Sequence, residues 1–146
     1  MERRLMLAHG AQTLAAWNRG DPDGIVAGVA EDVIWRDVVL GVLHGRDALR
    51  EAARAFLAAF PDLRVEETTS TVSGSRLAQE LTVTGTHRGE LLGVPATGRW
   101  TESYAAVIVT FDEDGTLIEG AAYWNGLAMM YQLGVAAGFA SAPAPA

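Results

Sequence analysis

The stretch Gly85-Thr86-His87-Arg88-Gly89-Glu90-Leu91-Leu92-Gly93-Val94-Pro95-Ala96-Thr97-Gly98-Arg99 decides the fold of this chain. It lies between two runs, residues 76–86 and 100–111, that both have the pattern of β-strands. Residues 93–98 are rich in glycine and proline, which favours a turn. The stretch therefore predicts a hairpin that joins two antiparallel strands of one sheet.

The segments around this hairpin predict an α+β fold. Apolar residues at helical spacing predict a first helix that ends at Gly20, a short second helix through about Ala30, and a third that opens at Gly45 and stops at Pro61. Strands are predicted at 33–38, 63–72, 76–86, 100–111 and 116–125, and a closing helical turn at 127–133. This order places the helices on one face of an antiparallel meander.

Length and composition indicate a single globular domain. The chain has 146 residues, of which 49% are hydrophobic and 20% charged, so it can bury a substantial core. We expect one domain over residues 1–136. The segment 137–146 contains two Ala-Pro steps, which predicts a flexible tail.

Charge and cysteine content limit the partners. A net charge of -7 with only 11 Lys and Arg would repel phosphate backbones and anionic membrane surfaces, so we expect neither nucleic acid nor a membrane as a partner. With no cysteine, the chain has no disulfide and no thiolate chemistry. The N-terminal residues lack the pattern of a signal peptide, and no apolar run is long enough to span a membrane. We expect a cytoplasmic protein.

Several short motifs, in this order along the chain, resemble those of one family. They are Glu31-Asp32-Val33, His44-Gly45-Arg46, Phe60-Pro61-Asp62-Leu63, the hairpin quoted above, Asp114-Gly115 and Gln132-Leu133-Gly134. Together they resemble SnoaL-like polyketide cyclases of the nuclear transport factor 2-like superfamily. The resemblance implies a cone-shaped, curved antiparallel sheet wrapped around the N-terminal helices. It also implies a deep pocket for a small hydrophobic polyketide- or terpenoid-like molecule, and acid/base chemistry without a cofactor.

The last strand departs from this family. Cyclases of the family typically end it with a pattern close to E-H-W-D-x-W-D, in which the first Asp is the acid/base. The matching segment here is Glu119-Gly120-Ala121-Ala122-Tyr123-Trp124-Asn125, which has Gly120 at the His position and Ala122 at the Asp position. Because alanine cannot move a proton, the family's usual mechanism does not carry over.

Three related groups suggest other sites. The positions of the Asp-Arg-Asp set of limonene epoxide hydrolases correspond to Thr82, Glu80 and Ala122 here, so this chain lacks that set. The catalytic base of ketosteroid isomerases falls on Asp37, whereas their oxyanion Tyr and Asp fall on Thr13 and Val107. Polyether epoxide-opening cyclases pair an Asp on the first strand with a Glu on the second, which fits Asp37 and Glu66.

Strand alternation, oriented by these resemblances, then predicts the candidate site. A turn at 73–75 pairs Glu66 with Thr82, and Glu80 shares a face with Thr82. We expect Asp37, Glu66 and Glu80 to converge as catalytic residues. Residues expected to bind substrate are Trp35, Thr82, Thr84, Ser103, Ala105, Trp124 and Met129.

Carboxylates held close together in a pocket of low dielectric cannot all stay ionised, so one would keep its proton. This predicts Asp37 as base and Glu66 or Glu80 as acid, for ring closure or epoxide opening. Alternatively, Asp37 is an exposed strand-end residue or pairs with Arg36 or Arg46, and the glutamates are solvated or paired with arginine.

Two other functions remain open. One is a ketosteroid isomerase-like proton shuttle with Asp37 alone, although the donors that stabilise an enolate are missing. The other is a ligand-binding module without catalysis, which Gly120 and Ala122 favour. His87 is expected to form a local hydrogen bond, and no spacing indicates a metal site. We also expect a homodimer through the outer strand surface, including Val83, Tyr104 and Ile108.

Overall fold

A computed structural model describes residues 1–135, so the tail predicted at 137–146 lies outside the described residues. The helices are α1 (Arg3–Asn18), α2 (Pro22–Ile25), α3 (Arg46–Ala59) and α4 (Gly126–Leu133). The strands are β1 (Val29–Asp37), β2 (Gly41–His44), β3 (Arg64–Ser73), β4 (Arg76–Thr86), β5 (Trp100–Phe111) and β6 (Leu117–Trp124). Within residues 1–135, none of the helices combines the length and the apolar character needed to cross a membrane.

All six strands form one curved sheet in the order β2-β1-β6-β5-β4-β3, and the sheet does not close into a barrel. Neighbouring strands are antiparallel except β1 and β6, which are parallel. Helices α1 and α3 pack in its hollow, where Met6 and Ala53 are buried with Val33, Leu77 and Phe111. The predicted α+β fold, with a curved sheet around N-terminal helices, is confirmed.

Two local predictions need correction near the start of the sheet. Helix α2 ends at Ile25 rather than near Ala30, and β1 already begins at Val29. Gly28 separates them with a φ of +75°, a conformation that only glycine adopts readily. Strand β2 was not predicted, because its four residues follow a tight turn after Asp37 and show no long alternating pattern.

The quoted hairpin is fastened to the end of α3. The carbonyl of Ala59 would lack a partner inside the helix, and it accepts hydrogen bonds from the backbone N–H groups of Arg88 (2.9 Å) and Gly89 (3.2 Å). A Cβ at Gly89 would collide with the carbonyl oxygen of Ala58. Glycine is therefore required where the hairpin backbone meets the helix.

Aromatic contacts strengthen this junction. Phe60 lies against Gly85, where an added Cβ would approach its ring to 3.2 Å. The ring of Phe60 also contacts that of His87, with 5.6 Å between centroids. The fully buried His87 forms the expected local hydrogen bond, since its Nδ1 is 3.0 Å from the Thr97 hydroxyl.

Two amide side chains fix helices to strand edges. The side chain of Asn18 donates to the carbonyl of Val65 (2.9 Å) and accepts from its N–H (2.7 Å). Gln132 pairs in the same way with the backbone of Glu102, at 2.8 and 2.7 Å. These pairs hold α1 against β3 and α4 against β5, and so place both helices along the hollow.

Asp62 provides a pH-dependent test of the junction. Its carboxylate accepts hydrogen bonds from the backbone N–H (2.7 Å) and the hydroxyl (2.8 Å) of Thr86. These bonds, the backbone one first, hold the pKa of Asp62 below its ordinary value of 3.8. Since the folded pKa is the lower one, the stabilisation is complete above the ordinary pKa and is lost as the pH falls through the folded value.

We therefore expect Asp62→Ala to lower the free energy of unfolding by about 0.5–2 kcal/mol at neutral pH. The difference from the parent protein should shrink below pH 4, as shown by urea unfolding at several pH values. Asp114→Ala, in the turn before β6, serves as the control for loss of an exposed carboxylate. A difference for Asp62→Ala that stays constant down to pH 2 would contradict this role.

Candidate active site

A cavity of about 220 Å³ lies between the inner face of the sheet and helices α1, α3 and α4. Its lining is mostly apolar, with side chains such as Leu14, Phe56 and Leu81. Apolar walls with a few polar groups are typical of small-molecule sites. The volume lies below the roughly 300–1,000 Å³ of pockets for drug-sized ligands, so a small ligand fits best.

Cross-strand pairing determines which side chains share this hollow. Asp37 pairs with Ala122, Ala122 with Val107, and Val107 with Gln79. Paired residues point to the same face of a sheet, and all four line the cavity. The row thus has polar side chains only at its ends, with alanine and valine between them.

The carboxylate of Asp37 is held at one end of this row. Its Oδ1 accepts hydrogen bonds from the backbone N–H groups of Val39 (2.8 Å) and Leu40 (2.9 Å). The indole N–H of Trp124 lies 3.1 Å from both Oδ1 and Oδ2. Oδ2 therefore has a single partner among residues 1–135, whereas Oδ1 has three.

The alternative arginine partners of Asp37 are engaged elsewhere. Arg36 forms an ion pair with Glu119 on the outer face. Arg46 pairs with Glu31 at 3.3 Å and donates to the carbonyl of Val29. Among the described residues, Asp37 thus has neutral hydrogen-bond donors and no ion pair.

The loss of the family's histidine at position 120 has a structural explanation. Gly120 pairs with Trp35 on β1, and a Cβ at Gly120 would collide with the indole ring of Trp35. The ring thus fills the space above this position. Any side chain at 120, histidine included, would displace Trp35 from the cavity wall.

Glu66 and Glu80 do not meet Asp37, so the expected convergence of three carboxylates is wrong. The side chain of Glu66 is 65% exposed and lies 3.1 Å from Arg64. Glu80 is exposed and borders a groove on the outer face of the sheet. The pairing of Glu66 with Thr82 is as predicted, but the pair faces outward because Val65 and Val83 point inward.

The predicted binding residues divide in the same way. Thr82 lies on the outer face with Glu80 and does not line the cavity, and Val83, expected outside, lines it. The other predicted binding residues line or border the cavity; they are Trp35, Thr84, Ser103, Ala105, Trp124 and Met129. Their role in binding stays a prediction. Ser103 is 8% exposed, and its hydroxyl has no hydrogen-bond partner among the described residues.

Sequence reasoning missed four polar residues of the described lining, which are His9, Thr13, Gln79 and Thr101. Gln79 adjoins Glu80, so the wrong choice of strand face excluded it. His9 lies on α1, with its Nε2 3.2 Å from the carbonyl of Ala27. Burial lowers the pKa of His9 below 6.5, and the Ala27 hydrogen bond partly opposes this, so the ring is neutral at pH 7.

His9 and Asp37 do not form a pair. His9 adjoins the start of β1, whereas Asp37 ends this strand. Val29 pairs with Leu117 and Asp37 with Ala122, so the two ends of β1 are five residues of β6 apart, about 17 Å. Residues 1–135 contain no group of three or more His, Asp or Glu side chains that could hold a metal ion. Asp37 is thus the one carboxylate that the described lining offers.

The contact between Trp35 and position 120 can be tested by a double-mutant cycle. Gly120→Ala should destabilise the protein by about 1–3 kcal/mol, because the new methyl group forces Trp35 out of place. In a Trp35→Ala background the same substitution should cost less than about 0.5 kcal/mol. The difference between the two costs is the coupling energy, and a coupling of this size is typical of contacting residues. Thermal and urea unfolding of the four proteins give these values.

Gly10→Ala is the matched control, because its new Cβ would contact Gln79 and not Trp35. The distance from this Cβ to Nε2 of Gln79 would be 2.8 Å. Its cost should be equal with and without Trp35. Equal costs of Gly120→Ala in both backgrounds would show that Trp35 does not occupy the space above position 120.

Comparisons with known proteins agree with this architecture. AclR from Streptomyces galilaeus, a proposed hydroxylase, is 29% identical, with a TM-score of 0.77 over 87% of this chain and 93% of its own. IdmH from Streptomyces antibioticus, a proposed polyketide cyclase, is 25% identical, with a TM-score of 0.74 over 88% and 97%. TsrD from Streptomyces laurentii shares the fold at 24% identity, with a TM-score of 0.82 over 92% and 98%.

No curated protein gives a significant match to the sequence. A family model, by contrast, matches residues 9–133, from the first helix to the end of α4. This range includes the whole sheet and every residue of the cavity lining described above. The chain therefore belongs to the SnoaL-like polyketide cyclase family.

Proposed function

We propose that this protein is a cyclase-type acid/base enzyme for a small hydrophobic polyketide- or terpenoid-like molecule, with Asp37 as its single carboxylate base. Membership of the family and the likeness to IdmH support a cyclase-type role. The observation that carries the proposal is the carboxylate of Asp37 on the cavity wall, with Oδ1 fixed by the turn and Oδ2 less engaged. Asp37 thus stands one strand away from Ala122, where the family has its acid/base.

A single carboxylate suits a reaction in which one proton leaves and returns. Asp37 takes a proton from the carbon or hydroxyl that becomes the nucleophile, and the freed electron pair closes the ring onto an electrophilic carbon of the same molecule. The electron pair displaced there moves to oxygen, which then receives the proton from Asp37. Atoms and charge balance without a co-substrate, and an isomerase-like proton shuttle would use the same steps without ring closure.

Epoxide opening by a carboxylate pair is not proposed. It requires a carboxylic acid to protonate the departing oxygen, and both candidates, Glu66 and Glu80, lie on the outer face. Within residues 1–135, the hydroxyl of Ser103 is the buried hydrogen-bond donor of this lining that has no protein partner. Ser103 could thus bind a substrate oxygen, as a neutral donor that keeps its own proton.

Asp37→Asn tests the proposal. Asparagine can still accept hydrogen bonds from the turn through its carbonyl oxygen but cannot take up a proton. We expect turnover to fall by about 10²–10⁴-fold, measured by product formation from a panel of small diketones and enones. Ligand affinity, measured by calorimetry, should change much less.

Glu66→Gln and Glu80→Gln are the matched controls, since each removes a carboxylate from the outer face. Both should keep parental turnover. Parental turnover in Asp37→Asn, or a similar loss in all three variants, would refute the assignment of Asp37 as base.

A ligand-binding module is the second candidate function. The observation that favours it is the structural role of Asp37, whose Oδ1 caps the turn between β1 and β2. A binder would need this aspartate for its fold alone. In that case the parent protein and Asp37→Asn would bind the same molecules, and neither would convert them.

Self-association is a further part of the proposal. Tyr104 is 70% exposed and lies beside Tyr123 in an open groove on the outer face of the sheet. We propose that this face pairs with a second copy, because large exposed aromatic side chains are typical of interfaces. A cytoplasmic location also stays a prediction, which rests on the sequence alone.

Tyr104→Glu should prevent this pairing, because it places a charge at the centre of the proposed interface. We expect the parent protein to elute as a dimer and the variant as a monomer in size-exclusion chromatography with light scattering. Ser75→Glu, which adds the same charge in the turn between β3 and β4, should remain dimeric. A monomeric parent protein at micromolar concentration would refute the interface.

A further inference from the structure

Gln79 is a polar group of the cavity that the proposed reaction does not use. It is 7% exposed and lines the cavity from the middle of β4. Its side chain packs against α1 at Gly10, where an added Cβ would lie 2.8 Å from Nε2 and 3.1 Å from Cδ. Glycine at position 10 thus leaves the space that this amide fills.

The orientation of the amide is fixed by Glu67. The Nε2 of Gln79 donates a hydrogen bond of 2.6 Å to Oε2 of Glu67. A carboxylate only accepts hydrogen bonds, so it attracts the amide nitrogen and repels the amide oxygen. The nitrogen therefore lies toward Glu67 and Gly10 of α1, and the carbonyl oxygen Oε1, which accepts no hydrogen bond from residues 1–135, is the acceptor left for another partner.

The position of Gln79 suits the recognition of a bound molecule. Gln79 and Asp37 stand at opposite ends of the row formed with Ala122 and Val107. Their backbones are three strand spacings apart, about 14 Å along the sheet. A small molecule that lies on the apolar floor between them would present one end to each.

We propose that Gln79 is a specificity-determining residue, whose Oε1 accepts a hydrogen bond from a hydroxyl group at the end of the ligand far from Asp37. Glu67 acts through it as a positioning residue, which makes the site prefer a donor over a carbonyl. The inference rests on the proposed function only in requiring that a small apolar molecule enters the cavity. It makes no use of catalysis by Asp37.

Binding of three compounds with one carbon skeleton tests this. Indane has no polar group, 1-indanol carries a hydroxyl, and 1-indanone carries a carbonyl. One buried hydrogen bond corresponds to about a three- to tenfold difference in affinity, so the parent protein should bind 1-indanol that much more tightly than indane. Isothermal titration calorimetry measures the three dissociation constants.

Two variants assign the preference to this pair of residues. Gln79→Leu, of similar size and apolar, should bind indane and 1-indanol with nearly equal affinity. Glu67→Gln frees the amide to turn over, so the ratio of 1-indanol to 1-indanone affinity should fall toward one. Glu66→Gln removes the neighbouring carboxylate from the outer face and should leave every ratio unchanged.

The proposal is overturned if the parent protein binds 1-indanol no better than indane, or if Gln79→Leu keeps the parental preference. It is also overturned if Glu67→Gln and Glu66→Gln behave alike. Melting curves by circular dichroism confirm that each variant is folded, and Glu67→Gln alters an exposed side chain that the core does not need. An unchanged turnover in Asp37→Asn would end the catalytic proposal and leave these binding ratios untouched.

Discussion

The parallel pairing of β1 with β6 is the constraint on which the rest of this site depends. It sets Trp35 over Gly120 and Asp37 beside Ala122 on one inner face. The indole ring of Trp35 fills the space above Gly120, and Asp37 flanks Ala122 from the neighbouring strand. The carboxylate of the described lining therefore stands on β1, beside Ala122 of the last strand.

An electrostatic cost opposes a second carboxylate in the part of the cavity that residues 1–135 line, where Asp37 is the one carboxylate. A second ionised group near Asp37 would raise the free energy of the pair in an apolar hollow, unless one group kept a proton. Glu66 and Glu80 avoid this cost on the solvent-exposed face, where Arg64 pairs with Glu66. The other polar groups of the described lining are neutral, among them Ser103, Gln79 and the indole of Trp124.

Most of the fold could be predicted from the sequence, because its signals are local. Helical spacing of apolar residues located α1 and α3, and turn residues located the ends of β4 and β5. Gly89 and Asp62 belong to two motifs quoted separately in the sequence, and the structure shows that they fasten the same junction. Strand β2 could not be predicted, because its four residues after a tight turn are too few to show the alternating pattern of a strand.

The site was only partly predictable, because the face of a strand depends on one residue of register. Strand alternation, oriented by the resemblances, predicts Thr82 and Ser103 on one inner face, yet Ser103 pairs with Val83. The hairpin between these strands is long and irregular, so the sequence did not fix how they pair. An error of one residue in the face of β4 therefore predicts Glu80 in the cavity, whereas Gln79 is the residue that lines it.

The distribution of tryptophan gives the protein a built-in optical reporter. Of its four indoles, Trp17, Trp35 and Trp124 line the cavity, whereas Trp100 is 59% exposed on the hairpin side of β5. Intrinsic ultraviolet emission from this chain therefore originates mainly around the hollow. A molecule that enters changes the polarity around three fluorophores at once, and a Trp100→Phe variant would remove the solvent-facing background without touching the wall.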